Sequence, residues 1–131
     1  MQLDATTVRE ALALLGDRIG IAATVEIVIT GGGAALLTGA LPAASVTADI
    51  DVIHFRPPSE NDEVLRLAGE VGRELSFSPD WLNEHARLYF HELPAGWEHR
   101  KVLIGQFGRL TGFRHRAVGF HCDEILRSSC G

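Results

Sequence analysis

Cysteine is scarce. Cys122 and Cys130 are the two present, both near the C-terminal end, and two cannot build a disulfide framework. No apolar run approaches the ~18 residues of a membrane span. The first residues, Met-Gln-Leu-Asp-Ala-Thr-Thr-Val-Arg-Glu, have neither a basic start nor a long apolar stretch, so no secretory signal is expected. A cytoplasmic, reduced protein with no membrane partner is the expectation. Basic excess is lacking as well: 12 Lys and Arg face 17 Asp and Glu, a formal charge of -5. A general nucleic-acid binder needs a dense basic patch, so direct nucleic-acid binding is not expected. Internal repeats, low-complexity tracts and linkers are missing, and 131 residues read as a single domain, 1–131, with one core.

The charge is unevenly spread. Residues 1–84 carry a balance of -8, and residues 85–131 one of +3 together with five of the six histidines. The second part can meet an anionic ligand, the acidic half of the chain or simply solvent. Hydrophobic residues make up 46% of the chain, enough for an ordinary globular core.

Periodicity predicts a helix from Thr6 or Thr7 to about Arg18, with Val8, Leu12, Leu14 and Leu15 on its apolar stripe and Asp4 or Thr6 as cap. Thr24–Thr30 is β-branched and strand-like. Gly31–Gly33 predict a turn, Ala34–Thr38 a short helix, and Val46–Phe55 a second strand. Ser59 is placed to cap a helix from Glu60 to about Leu75, with Val64, Leu67, Val71 and Leu75 on one face. Pro79-Asp80-Trp81-Leu82 reads as another helix start, Arg87–Leu93 as a strand, and Pro94-Ala95-Gly96 as a turn. Lys101–Gln106 and Leu110–Phe120 read as two strands around Gly108, and Asp123–Arg127 as the first turn of a helix before a frayed end. The sum is an α/β or α+β domain with a mixed sheet and helices packed on it.

The chemistry-bearing stretch is Val28-Ile29-Thr30-Gly31-Gly32-Gly33-Ala34-Ala35, followed by Thr47-Ala48-Asp49-Ile50-Asp51-Val52-Ile53. A strand running through glycines into a helix offers backbone N–H groups to a phosphate, and glycine lets the backbone approach closely. The same residues also suit a plain tight turn and close helix–sheet packing. No Gly-Lys-Ser/Thr follows, so this is not a P-loop. A dinucleotide fingerprint fits poorly, since Leu36 stands where the third glycine belongs, although an acidic residue does lie roughly 20 positions on.

Asp49 and Asp51 are two apart, so on one strand they would share a face. Paired carboxylates in an apolar segment repel each other and are costly to desolvate, and a bound cation relieves both costs. Carboxylates with phosphate oxygens make the usual Mg²⁺ environment. Solvent on an amphipathic edge would also satisfy them.

Together, strand, Gly-Gly, short helix and Asp-x-Asp on the next strand resemble the nucleotidyltransferase superfamily with the DNA polymerase β-like fold. Thr47 two residues before Asp49, Leu93-Pro94-Ala95-Gly96-Trp97-Glu98-x-Arg100 and Asp123-Glu124-Ile125-Leu126 are similar to a small bacterial branch that includes toxin–antitoxin and abortive-infection proteins. The resemblance implies that Gly31, Gly32 and Gly33 line the nucleotide phosphates, that Asp49 and Asp51 ligate Mg²⁺ or Mn²⁺ and act in catalysis, and that Thr47 supports the strand end. It implies transfer of an NMP group from an NTP to a protein or nucleic-acid hydroxyl. The alternative is a degenerate nucleotide- or protein-binding module, one half of a toxin–antitoxin pair or a homodimer. A dinucleotide-binding oxidoreductase fragment is a third reading.

Three departures stand out. Ser45 occupies the place where relatives usually carry arginine. The two late predicted strands hold no Asp or Glu for a third catalytic carboxylate, which leaves Glu92 as the substitute. The lysine-containing helix and helical region that follow in relatives are expected to be missing. Elsewhere, His115, His121 and Cys122 match no strong zinc spacing, and Cys122 also lacks the context of a nucleophile. Trp81 and Trp97 fit core or lid packing or base stacking. Arg100, Lys101, Arg109, Arg114 and Arg116 fit phosphate contacts or a charged edge.

Overall fold

A computed structural model describes residues 2–20, 24–42 and 44–115. The predicted features of Arg116–Phe120, His121, Cys122, Asp123–Arg127 and Cys130 lie outside the described residues.

The chain begins with β1 (Leu3–Asp4) and α1 (Ala5–Arg18). Asp4 is the cap: its carboxylate accepts from the Thr7 N–H at 2.8 Å, satisfying one of the helix's orphan donors. β2 (Val25–Thr30) leads directly into α2 (Gly31–Leu37), then β3 (Val46–Thr47) and β4 (Ile50–Arg56). A 3₁₀ turn at Pro58–Glu60 precedes α3 (Asn61–Leu75), and no side chain caps α3, Ser59 included. α3 ends where Ser76 turns left-handed at φ 62° and the Phe77 N–H reaches back to the Gly72 carbonyl. β5 (Leu82–Asn83), a 3₁₀ segment His85–Glu92, another at Trp97–His99, and the hairpin β6 (Val102–Phe107) and β7 (Leu110–Arg114) complete the described chain.

Five strands form one mixed sheet in the order β5-β4-β2-β7-β6. β2 is antiparallel to β4 and parallel to β7, β4 is parallel to β5, and β6–β7 are antiparallel. β1 and β3 pair separately, Leu3 opposite Thr47. The expected α/β fold with a mixed sheet and packed helices is the fold observed. α1, α2 and α3 bury Val8, Leu12, Leu15, Leu36, Leu37, Val64, Leu67 and Val71 against Ile27, Ile29, Ile50 and Val52 on one sheet face. Val64, Leu67, Ala68 and Val71 are spaced for a single helical stripe, which is why α3 docks there. No helix among the described residues is long and apolar enough to cross a membrane.

The opposite face carries a smaller cluster of Val28, Ile53 and Trp97, covered by Ala86, Phe90 and Leu93. A bulge makes this possible. Val28 pairs with His54 and Ile29 with Val52, so Ile53 is an extra residue and both Ile53 and His54 turn to the second face. His54 stacks on Phe90 at 4.4 Å and meets the edge of Trp97 at 5.3 Å. Burial pulls its imidazole below the ordinary histidine range.

Beyond α3, two expected elements differ. Pro79–Leu82 does not start a helix; Trp81 is fully buried and Leu82–Asn83 pairs in parallel with Ile50–Asp51. The Trp81 indole donates to the Ala68 carbonyl at 2.8 Å, and its own carbonyl accepts from the Ile50 N–H at 2.6 Å. Those two bonds, together with burial, override the local Pro-Asp signal. The predicted strand Arg87–Leu93 is not formed; His85–Glu92 is 3₁₀ and Leu93 is its extended cap, because Ala86, Phe90 and Leu93 recur at helical spacing and pack on the second face.

Candidate functional site

The site is assembled where β2 ends and β4 begins. Thr30 pairs with Asp51, so the last residue of one strand lies beside the second carboxylate on the other. Ile50 and Val52 both enter the first core, which turns Asp51 to the opposite face.

The three glycines form the first turn of α2 instead of preceding it, and they divide by role. Gly31 has φ +71°, a conformation that disfavours any other residue, and a Cβ added there would lie 3.8 Å from an Asp51 carboxylate oxygen. A Cβ on Gly32 would lie 3.5 Å from the Thr47 hydroxyl. Both glycines are exposed, whereas Gly33 is buried and a Cβ there would come 2.8 Å from Ile50. Gly31, Gly32, Thr47, Asp49 and Asp51 therefore gather in one place, and Gly33 belongs to the helix–sheet packing.

Asp49 is not on a strand. The predicted strand Val46–Phe55 breaks between β3 and β4, and Asp49 lies in the break. β3 turns away to pair with β1, so the two carboxylates are not joined by a shared strand face. Asp49 is held instead by side chains: the Thr47 hydroxyl donates to its backbone carbonyl at 3.1 Å, and the Asn83 amide donates to its carboxylate at 3.2 Å. Asn83 sits opposite Asp51 in the β4–β5 register. Sequence reasoning missed it, since a two-residue strand falls below any periodicity window.

Burial raises the proton affinity of Asp51, and the neighbouring charge of Asp49 raises it further; the Asn83 amide and His85 oppose this. The charged form is thus disfavoured in the fold. Stability is lost as pH rises from the ordinary aspartate value of 3.8 through the raised one, and the penalty persists at neutral pH. Asp51→Asn is expected to raise the Tm of the metal-free protein by a few degrees at pH 7. That gain should shrink below pH 4, as measured by calorimetric melting across pH.

Among the described residues no group of three or more His, Cys, Asp or Glu is arranged to hold a metal ion. The pair fits a cation that takes two protein carboxylates and completes its shell with phosphate oxygens and water, the habit of Mg²⁺. Glu92 is exposed at the end of the 3₁₀ segment, and the strand beside β4 presents Asn83. Several basic residues are engaged elsewhere. Lys101 pairs with Glu26 at 2.8 Å and lies over the Phe113 ring, Arg109 donates to the Ile19 carbonyl, and Arg100 to the Ala95 carbonyl. Trp81 is in the core and Trp97 in the second-face cluster. Two clefts of about 260 and 290 Å³ flank His54, and neither is lined by Asp49 or Asp51.

Residues 7–113 match the family described as "Nucleotidyltransferase of unknown function (DUF6036)". Comparison with curated proteins and with solved structures gave no match.

Proposed function

The chain belongs to the DUF6036 family of nucleotidyltransferases, and from that premise we propose that it binds a nucleoside triphosphate with Mg²⁺ and transfers its NMP group to a hydroxyl. The observation that carries the reading is the convergence of Asp49 and Asp51 with the exposed Gly31–Gly32 turn at a position where the Asp51 charge is disfavoured without a counterion. Asp49 and Asp51 would hold the cation, and Gly31 and Gly32 would let the phosphates approach the backbone. When bound, the metal would screen the charge of the triphosphate and of the leaving pyrophosphate. Thr47 would keep Asp49 in place through its backbone carbonyl.

A second reading, nucleotide binding without turnover, draws support from one observation. The strand next to β4 offers the amide of Asn83, which cannot take a proton from an attacking hydroxyl. Calorimetric titration of ATP, GTP, CTP and UTP, with Mg²⁺ or Mn²⁺ and then with neither, tests what the two readings share. Metal-dependent binding of at least one nucleotide is expected, and no binding of any of the four would sink both. Incubation with the bound nucleotide labelled at its α-phosphate then separates them. Labelled protein or nucleic acid marks transfer, and retention of intact nucleotide marks binding alone.

A further inference from the structure

Asn83 is the single buried polar side chain among the described residues, and each end of its amide has a partner. Its NH₂ donates to an Asp49 carboxylate oxygen at 3.2 Å and to the Asp80 carbonyl at 3.2 Å. Its oxygen accepts from the His85 N–H at 3.0 Å. A backbone carbonyl can only accept and a backbone N–H can only donate, so these neighbours fix which way the amide points. The NH₂ faces the carboxylate pair, and the oxygen, the atom that would ligate a metal, is committed elsewhere.

Asp49 needs such a partner. It lies in the break between β3 and β4, outside the ladder that holds Asp51 between Thr30 and Asn83. A loop carboxylate beside a like charge has no reason to stay close to it unless a donor fixes it there. We propose that Asn83 is a positioning residue that clamps Asp49 beside Asp51, and that its amide limits the site to one divalent cation. This rests on the nucleotide-binding reading above. The amide stands opposite Asp51 on β5 and faces the pair, where a carboxylate would serve as a third protein ligand. A carboxylate there would complete a second cation site at the cost of facing Asp49 and the Asp80 carbonyl when no metal is bound.

The test counts Mn²⁺ by electron paramagnetic resonance, with and without a non-hydrolysable α,β-methylene nucleoside triphosphate. The wild-type protein is expected to bind one Mn²⁺ per chain with the nucleotide. Asn83→Ala is expected to weaken that binding about tenfold, as loss of a ligand-orienting partner does. Asn83→Asp keeps an acceptor for the His85 N–H, so the turn is preserved. It is expected to bind two Mn²⁺ and to melt at a lower temperature than wild type without metal. Two Mn²⁺ on the wild type would overturn the inference whether or not either variant folds. Unchanged affinity in Asn83→Ala, or one Mn²⁺ in a folded Asn83→Asp, would show that Asn83 serves only the turn. No nucleotide-dependent Mn²⁺ on the wild type would overturn the parent reading as well.

Discussion

Replacing Asp49 and Asp51 together with alanine is expected to weaken metal-dependent nucleotide binding by on the order of 100-fold, about 2.7 kcal/mol. The variant should remain folded. Both residues are half-buried at the margin of the core, and Ile50 and Val52, which anchor that part of β4, are untouched. Removing two like charges from a partly desolvated place also relieves repulsion, so the Tm without metal should not fall. Calorimetric titration with Mg²⁺ and a melting curve on the same sample check both halves. A variant that stays folded and binds as tightly as wild type would remove the carboxylates from the site.

The largest effect on stability is expected at Gly16. It is buried in α1, where the β6–β7 turn crosses, and an added Cβ would lie 1.6 Å from the Phe107 carbonyl oxygen. The obstacle is backbone and cannot swing aside. In a free helix, alanine is better than glycine by roughly 1 kcal/mol. Here the sign should reverse, with Gly16→Ala costing about 3 kcal/mol, the upper part of the range for overpacking, and lowering Tm by roughly 10 °C. Gly69→Ala in α3 is the control. A Cβ there meets nothing nearer than the Arg73 guanidinium at 4.0 Å, so the usual propensity gain of about 0.5–1 kcal/mol should appear. Parallel denaturant melts of the two variants measure the contrast. The consequence reaches the site, because the hairpin that Gly16 admits supplies β7, the parallel neighbour of β2, and β2 delivers the glycine turn.

Those same strands show how much could be read from residues alone. β2 and α3 were legible because each writes its own period into consecutive residues, and the three glycines marked the strand-to-helix junction without showing that they form the first turn of α2. Asp49 was misplaced because strand-like residues continue through Ala48 while β3 leaves to pair with Leu3, a tertiary event with no local mark. The stretch from Pro79 to Leu93 was misread for a similar reason. Its conformation is set by where Trp81 is buried and by the second face that Phe90 and Leu93 cover. Asn83 stayed hidden because its meaning lies wholly in what stands opposite it. The Asp51 strand, β4, is bordered by β2 and β5 and not by β6 or β7, so the late strands lie away from the place where a third carboxylate would be needed.

On the proposed function, a metal–nucleotide complex sits between the Gly31–Gly32 turn and the carboxylates. Paramagnetic broadening of backbone amides by substoichiometric Mn²⁺ with ATP or the preferred nucleotide locates it. Signals from Gly31, Gly32, Thr47, Asp49, Asp51 and Asn83 are expected to disappear first while those of β6, on the far edge of the sheet, persist. Broadening centred instead on the clefts around His54 and Trp97, with the glycine turn unaffected, would contradict it.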